Sequence, residues 1–347
     1  MGLLEVDCWY AAYLSVSPSI RPESVQIIPP AEYGLFHANS AQKWIHLIQR
    51  GSRIHTNRLT PSFLPPPGLK MEATSFRALL TMFLLRIYES NDRLANANGP
   101  QKHMEPWRVY SEDPRSRELI PLLVNLSSTS IDAIRPADLN SSVLWHASCM
   151  MLGANIRFFE LAAGRAGPGP AMSALEDISA WAQTPSARRS VLHAAHIFKL
   201  LFDRKVSDIV TPHSVVALFQ AALILGLYIF TLPPAPCNPG DNCIELLDLV
   251  DWAGVGHVGL MDNANSPSTQ LGFGSEGPAV NFIRNGGPFS ITGVTLEGGY
   301  LAARRTLLHC ADLMDGMGRW KSRTFSQILH IMSDDLTDVD VADSDES

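Results

Sequence analysis

The stretch of residues 215–232 spans 18 positions and contains no formally charged side chain. That length is at the lower limit for a membrane-spanning helix. Polar Gln220 interrupts it, however, and neither flank carries a Lys/Arg cluster beside aromatic anchors, as membrane spans commonly do. Because the chain contains several further amphipathic helical patterns, the sequence favours a central helix of a large bundle, with a membrane span as the alternative.

Apolar residues elsewhere in the chain recur at spacings of three and four, which predicts helices. A helix ending at Gly51 places Trp44, Leu47 and Ile48 on one face, and residues 141–164 are predicted as one long helix ending at Gly164. The sequence LDLVDW also has helical spacing. The apolar positions of two further predicted helices are Phe76, Leu79, Leu80, Phe83, Leu84 and Ile87 in one, and Val191, Leu192, Ala195, Phe198, Leu201 and Phe202 in the helix opened by Pro185.

No segment combines sustained alternation with hairpin turn residues. The predicted fold class is therefore all-α, a large irregular multi-helix bundle with Pro/Gly-rich loops and few or no strands. With 347 residues, of which 46% are hydrophobic, the chain can bury a large core. We expect one helical domain over residues 1–333 and a disordered acidic tail over 334–347. The first residues read as a helix without a capping residue, so we also expect the domain to be truncated at its N-terminus.

Charge and cysteine usage exclude several classes of site. The formal net charge of −7 is opposite to the basic footprint of a duplex-binding domain. Five scattered cysteines argue against a secreted disulfide framework. Only Cys237 and Cys243 lie close together, and no nearby histidine pair completes a zinc site. No zinc or other cofactor is predicted for this chain.

Two acidic or glycine-rich motifs resemble known sites by spelling alone. Asp334, Asp335 and Asp338 have the spacing of a magnesium site, but too little chain follows to complete such an enzyme, so a solvated acidic tail is preferred. Residues 254–259 match the dinucleotide pattern GxGxxG without the strand and helix that it requires, so they are predicted to form a turn that closes a helix.

Histidine and arginine pairs are interpreted as structural. His193 and His196 could face one metal ion, but no third and fourth ligand is recognisable, so we predict core or interface positions. The pairs Arg188/Arg189 and Arg304/Arg305 are interpreted as solvated faces or ion pairs with Asp and Glu. No catalytic, cofactor-binding or metal-binding residue is predicted, and we expect no enzymatic activity.

Three stretches together resemble one known family: LWHASCMMLGANIRFFELAAGR, ISAWAQTPSARRSVLHAAHIFKLLFDR, and VDWAGVGHVG followed by FIRNGGPFSITG and GGYLAARRTLLHCADLMDGMGRWKSRTFSQILHIM. They are similar to the fungal-specific transcription factor domain, also called the middle homology or xylanolytic activator regulatory region. The similarity is greatest to the branch attached to two-Cys two-His zinc fingers, and it covers nearly the whole chain.

This resemblance implies a helical regulatory module of a nuclear regulator of RNA polymerase II genes. Its partners would be the transcription machinery or another regulator, with a homodimer as one option and no membrane. Zinc and direct DNA binding would belong to fingers absent from this sequence, so DNA is expected only indirectly or through a longer form. The residues expected to form the family core are Trp145, His146, Trp181, Arg188, Arg189, His193 and Trp252.

Two alternatives remain open at this stage. One is a soluble α-helical enzyme with a site between helices, in which His146 or His193 works with nearby carboxylates as acid and base. The other is membrane anchorage through residues 215–232.

Overall fold

The computed structural model describes residues 2–14, 16–26, 33–52, 73–97, 104–126, 138–233, 243–261, 277–296 and 298–344. Within these ranges the chain is predominantly helical, which confirms the predicted all-α class. The helices are α1 Gly2–Leu14, α2 Tyr33–Phe36, α3 Ala41–Gln49, α4 Ala73–Ala97, α5 Pro106–Glu112, α6 Leu119–Leu126, α7 Leu139–Gly153, α8 Ile156–Ala162, α9 Pro168–Ala182, α10 Pro185–Phe202, α11 Pro212–Thr231, α12 Trp252–Val255, α13 Pro278–Asn285, α14 Gly299–Met317 and α15 Ser322–Ser344. A three-stranded sheet contains β1 Ile244–Glu245, β2 Phe289–Ile291 and β3 Val294–Leu296 in that order.

Helix α11 lies at the centre of the bundle. It contacts α7, α8, α9, α10 and α14, as well as α1 and α15. Among the described helices it alone is long and apolar enough to cross a membrane, and 89% of its most apolar window is buried inside the protein. Neighbouring helices therefore cover the apolar surface that lipid would otherwise cover, and the favoured sequence interpretation, a central bundle helix, agrees with this position.

Local sequence signals account for where several helices begin and end. The Ser40 hydroxyl accepts a hydrogen bond from the Lys43 amide at the start of α3, and Gly51 adopts a positive φ of 96° just beyond its end. Thr184 caps α10 in the same way, immediately before Pro185 at the first helical position. The predicted apolar face of α4 is buried throughout.

The single long helix predicted over residues 141–164 is wrong, because the helix is interrupted between α7 and α8. The Asn155 side chain accepts a hydrogen bond from the Arg157 amide and so starts a new helix. The Gly153 carbonyl, which would otherwise continue α7, accepts a hydrogen bond from Trp181 Nε1 at 2.8 Å. A tertiary contact and a local cap therefore outweigh the continuous apolar periodicity.

The helix expected over LDLVDW is also wrong in most of its length. Ile244 and Glu245 form β1, which pairs parallel with β2, and helix returns only in the four residues of α12. The Glu245 carboxylate accepts hydrogen bonds from the amides of Leu247, Thr292 and Gly293. The contacts with Thr292 and Gly293, which are distant in sequence, help to stabilise a turn where the local spacing alone favours a helix.

Two details at helix ends differ from the sequence interpretation. Phe202 was assigned to the apolar stripe of α10, but it lies in the last turn and is 59% exposed. Helix α15 continues to Ser344, and so its backbone enters the segment predicted as an acidic tail over residues 334–347. The division of the chain into these two regions stays a prediction.

Candidate functional site

Five aromatic and imidazole side chains form one buried group, which we call the histidine–tryptophan cluster: Trp145, His146, His193, His196 and Trp252. Helix α7 supplies the first two, α10 supplies the two following histidines and α12 supplies Trp252. Each of the five is at most 5% exposed. The cluster therefore joins two long central helices to a segment that comes much later in the chain.

The rings contact one another closely. His146 Nδ1 and His193 Nδ1 lie 3.0 Å apart, so one of these nitrogens donates a hydrogen bond and the other accepts it. His193 stacks on Trp252 with ring centroids 3.9 Å apart, and His146 stacks on His196. Trp145 packs edge-on against His146 and His193. The acceptor nitrogen requires at least one of the two hydrogen-bonded imidazoles to be neutral.

Burial lowers the pKa of His193 well below its ordinary range, and the positive charges of His146, Arg189 and His196 lower it further. No carboxylate contributes to this shift. Within the described residues, His193 Nε2 has no hydrogen-bond partner. His193 is therefore neutral at pH 7.

Neutral imidazole is the form that binds metals, but nearby ligands are also needed. The described part of the chain holds no group of three or more His, Cys, Asp or Glu side chains placed to bind a metal ion. Cys237 lies outside the described residues, whereas Cys243 is exposed just before β1. Asp334 forms an ion pair with Arg304, and the side chains of Asp335 and Asp338 lie outside the described residues.

Arg188 is buried, and so the predicted solvated face or ion pair is wrong for it. Its guanidinium donates to the backbone carbonyls of Gln183, Ile283 and Arg284 at 2.8–3.0 Å. The last two carbonyls belong to the end of α13. Arg188 thus donates hydrogen bonds to carbonyl groups at a helix terminus, where the last carbonyls have no donor within the helix.

Arg189 is also buried, and the same prediction is wrong for it. Its Nη1 donates to the carbonyls of Gly256 and Val258, each at 2.8 Å. Burial lowers the pKa of Arg189 to about 10, so the side chain stays protonated at neutral pH. By contrast Arg304 has the predicted ion pair, with Asp334.

The turn that Arg189 holds is the GxGxxG segment. Residues 256–259 form turns directly after α12, as the sequence predicted for this motif. Gly259 has a φ of 84°, and a Cβ on it would lie 2.9 Å from the Pro185 carbonyl oxygen. The glycine therefore permits a close approach to α10, and helix α12 runs into the start of the motif, where a dinucleotide site requires a strand.

Trp181, like the two buried arginines, is a predicted core residue that lies outside the cluster. It is buried, donates to the Gly153 carbonyl and packs edge-on against Phe159. Gly153 itself marks a close crossing of α7 and α10, because a Cβ there would lie 2.4 Å from Ser190 Oγ. The sequence analysis missed this crossing, although Ser186 and Ser190, two small residues four apart, were a readable signal.

In this arrangement the aromatic and imidazole rings pack against one another, and the buried arginines donate hydrogen bonds to backbone carbonyls. The two histidines considered for acid–base chemistry face each other and two indoles, and both are almost fully buried. Comparisons of the chain with models of protein families, with curated proteins and with solved structures found no match.

Proposed function

We propose that this chain is the helical regulatory module of a fungal nuclear transcription regulator that controls RNA polymerase II genes. Recognition of DNA is assigned to zinc fingers outside this sequence. The observation that carries the proposal is that the separate segments on which the family resemblance rests meet in one contact network, which comprises the histidine–tryptophan cluster and the two buried arginines.

The network links the segments in sequence order. LWH contacts LHAAH through His146 and His193, and both contact VDWAG through Trp252. The arginine pair then connects the same helix to GVGHVG and to FIRN. The segments that together resemble the family therefore also contact one another. This supports a fold shared with that family more strongly than any single helix does.

The charge of the chain supports regulation over direct DNA recognition. A net charge of −7 repels the phosphate backbone, which supplies most non-specific DNA affinity. An acid–base enzyme is less favoured, because burial and neighbouring cations, with no carboxylate, depress the pKa of His193.

A tethering assay tests the proposal. The chain is fused to an unrelated DNA-binding domain with a nuclear localisation signal and expressed in fungal cells with a matched reporter gene. We expect transcription to change several-fold, upward or downward, relative to the DNA-binding domain alone. Arg189→Met, which removes buried hydrogen bonds, should abolish the effect, whereas Arg117→Glu, at an exposed position, should retain it. A stable nuclear fusion that leaves the reporter unchanged would overturn the proposal.

A further inference from the structure

A groove opens between two helix–helix connections of the bundle. One wall is the connection between α10 and α11, and the other is the connection between α14 and α15. Its cavity volume is about 460 Å³, which is within the range of ligand-binding sites. We call it the Trp320 groove and define it by Arg204, Val206, Ile209, Arg319 and Trp320, which line it.

Large apolar side chains stand exposed along this groove. Val206 is fully exposed, Ile209 is 73% exposed and Trp320 is 51% exposed. Single exposed apolar residues are common, but a group of them around a concavity is typical of interaction sites. Tryptophan and arginine together are also the residues that most often dominate binding energy in protein interfaces.

The backbone that presents Trp320 is strained. Trp320 and Lys321 have positive φ angles of 55° and 60°, which bulky residues rarely adopt. Two contacts hold this turn in place: Trp320 Nε1 donates to the Val210 carbonyl at 3.0 Å, and Lys321 Nζ lies over the Tyr13 ring. Strain of this kind concentrates at functional sites, where surrounding contacts fix it. Here it holds an indole at the rim of a groove.

The groove also carries arginines without acidic partners. Arg77, Arg93 and Arg165 each pair with a carboxylate elsewhere in the protein. Within the described residues, neither Arg204 nor Arg319 has a carboxylate within 4 Å.

Arg204 donates to the Leu201 carbonyl, which leaves other guanidinium N–H groups available. Asp208, which also lines the groove, accepts a hydrogen bond from the backbone amide of Lys205. Among the described residues these two cations at an apolar rim have no carboxylate partner, so their charge complements that of an acidic ligand.

We propose that the Trp320 groove binds a short acidic peptide segment of a partner protein. Apolar side chains of the peptide pack on Trp320 and Ile209, and its carboxylates pair with Arg204 and Arg319. The planar guanidinium group of each arginine can bind a carboxylate through two hydrogen bonds. A nucleic acid would supply phosphates and stackable bases, but the aliphatic side chains of Val206 and Ile209 at the rim favour a peptide with apolar residues. This binding is a property of the isolated chain and does not depend on the proposed role in transcription.

Fluorescence anisotropy with the purified full chain tests the proposal. The probe is a fluorescein-labelled 15-residue peptide that alternates Asp/Glu with Leu/Phe. Saturable binding is expected with a dissociation constant below about 100 μM. Binding should weaken as KCl rises, because Arg319 is exposed and Arg204 is only partly buried. A peptide with Lys at the acidic positions, and one with Ser at the apolar positions, should each bind at least tenfold more weakly.

Variants then locate the site. Arg204→Glu with Arg319→Glu should weaken binding at least tenfold, as should Trp320→Ala, whereas Trp320→Phe should retain most affinity. The charge-matched control is Arg50→Glu with Arg117→Glu, at exposed positions on other elements, and it should bind within twofold of wild type. Circular dichroism verifies that each variant is folded. Absent binding by wild type, equal loss in the control, or preferential binding of a labelled DNA or RNA at the groove would overturn the proposal.

Discussion

The histidine–tryptophan cluster and the Trp320 groove use similar residue types in opposite ways. Both contain tryptophan and are bordered by arginine, and α10 contributes to the cluster and leads into the groove. In the cluster, the arginine donors are paired with carbonyl oxygens and the rings cover one another. In the groove, the indole is half exposed and the arginines lack acidic partners among the described residues. The residue types alone therefore do not distinguish a structural site from a binding surface, whereas their partners do.

The largest expected difference between the two regions comes from the same substitution made in each. Arg189→Met keeps most of the side-chain volume but removes two charge-assisted hydrogen bonds and leaves two carbonyls without their donor. We expect the free energy of unfolding to fall by about 3–5 kcal/mol. Arg319→Met, at the groove, should change it by less than about 0.5 kcal/mol. Urea denaturation measures both, and equal losses would contradict the distinction.

Acid should destabilise the cluster. The pKa of His193 is depressed in the folded protein, and that of the unfolded chain is about 6.5, so below that pH the unfolded state binds a proton that the folded state rejects. The contribution of neutral His193 to the free energy of unfolding is therefore fully present above pH 6.5. It is lost as the pH falls toward the lowered pKa of the folded state.

The expected slope is about 1.4 kcal/mol per pH unit for this one group. His193→Gln should reduce the slope of unfolding free energy against pH by that amount, whatever its effect at pH 7.5. Urea melts at half-unit steps measure it. An unchanged slope would mean that His193 is not the group that rejects the proton.

Substitution of alanine for one glycine in each region compares the two regions by the addition of a single methyl group. At Gly153 a Cβ would lie 2.4 Å from Ser190 Oγ and 2.8 Å from the Ser186 carbonyl oxygen, so Gly153→Ala should push α7 and α10 apart and cost about 1–3 kcal/mol. At Gly316, which lines the groove inside α14, nothing lies within 4 Å. Gly316→Ala should instead stabilise by about 0.5–1 kcal/mol. Thermal denaturation of the pair would give shifts of opposite sign, and shifts of the same sign would contradict the close crossing.

The smallest effect is expected at the groove rim. Ile209→Ser removes an apolar side chain that is already largely in water, so the free energy of unfolding should change by less than about 0.5 kcal/mol. A loss above 2 kcal/mol would show that Ile209 packs on other parts of the chain. Chemical denaturation is again the measurement.

The sequence predicted long helices better than their interruptions. The apolar face of α4 and the capped starts of α3 and α10 follow from local spacing and local caps. The break after Gly153 depends on a hydrogen bond from Trp181, and β1 depends on a strand more than forty residues later, near residue 289. Such long-range contacts leave no local periodic signal. The Gly-Ala-Asn sequence at the break did, however, contain a helix-start residue, Asn155.

The sequence identified most residues of the candidate site, but the surroundings predicted for the arginine pair were wrong. Burial of His193 and His196 agrees with the predicted core or interface positions. The pair pattern alone predicted that Arg188 and Arg189 are solvated, although the family resemblance implied core positions for both. The first prediction was wrong because charged residues are usually solvated and the partners here are backbone carbonyls, which every residue possesses. The groove was not foreseen at all, since its two walls are connections far apart in sequence.

The position of Trp252 in the chain also affects how this protein is synthesised. The ribosome completes α7 about 100 residues, and α10 about 50 residues, before it adds the indole that covers His193. At roughly 5–20 residues per second, several seconds pass before that indole is available. Throughout this interval the imidazoles and Trp145 face water or a chaperone. A chain whose synthesis stops before residue 252 therefore lacks this indole, and the cluster side chains on its two central helices stay exposed to solvent.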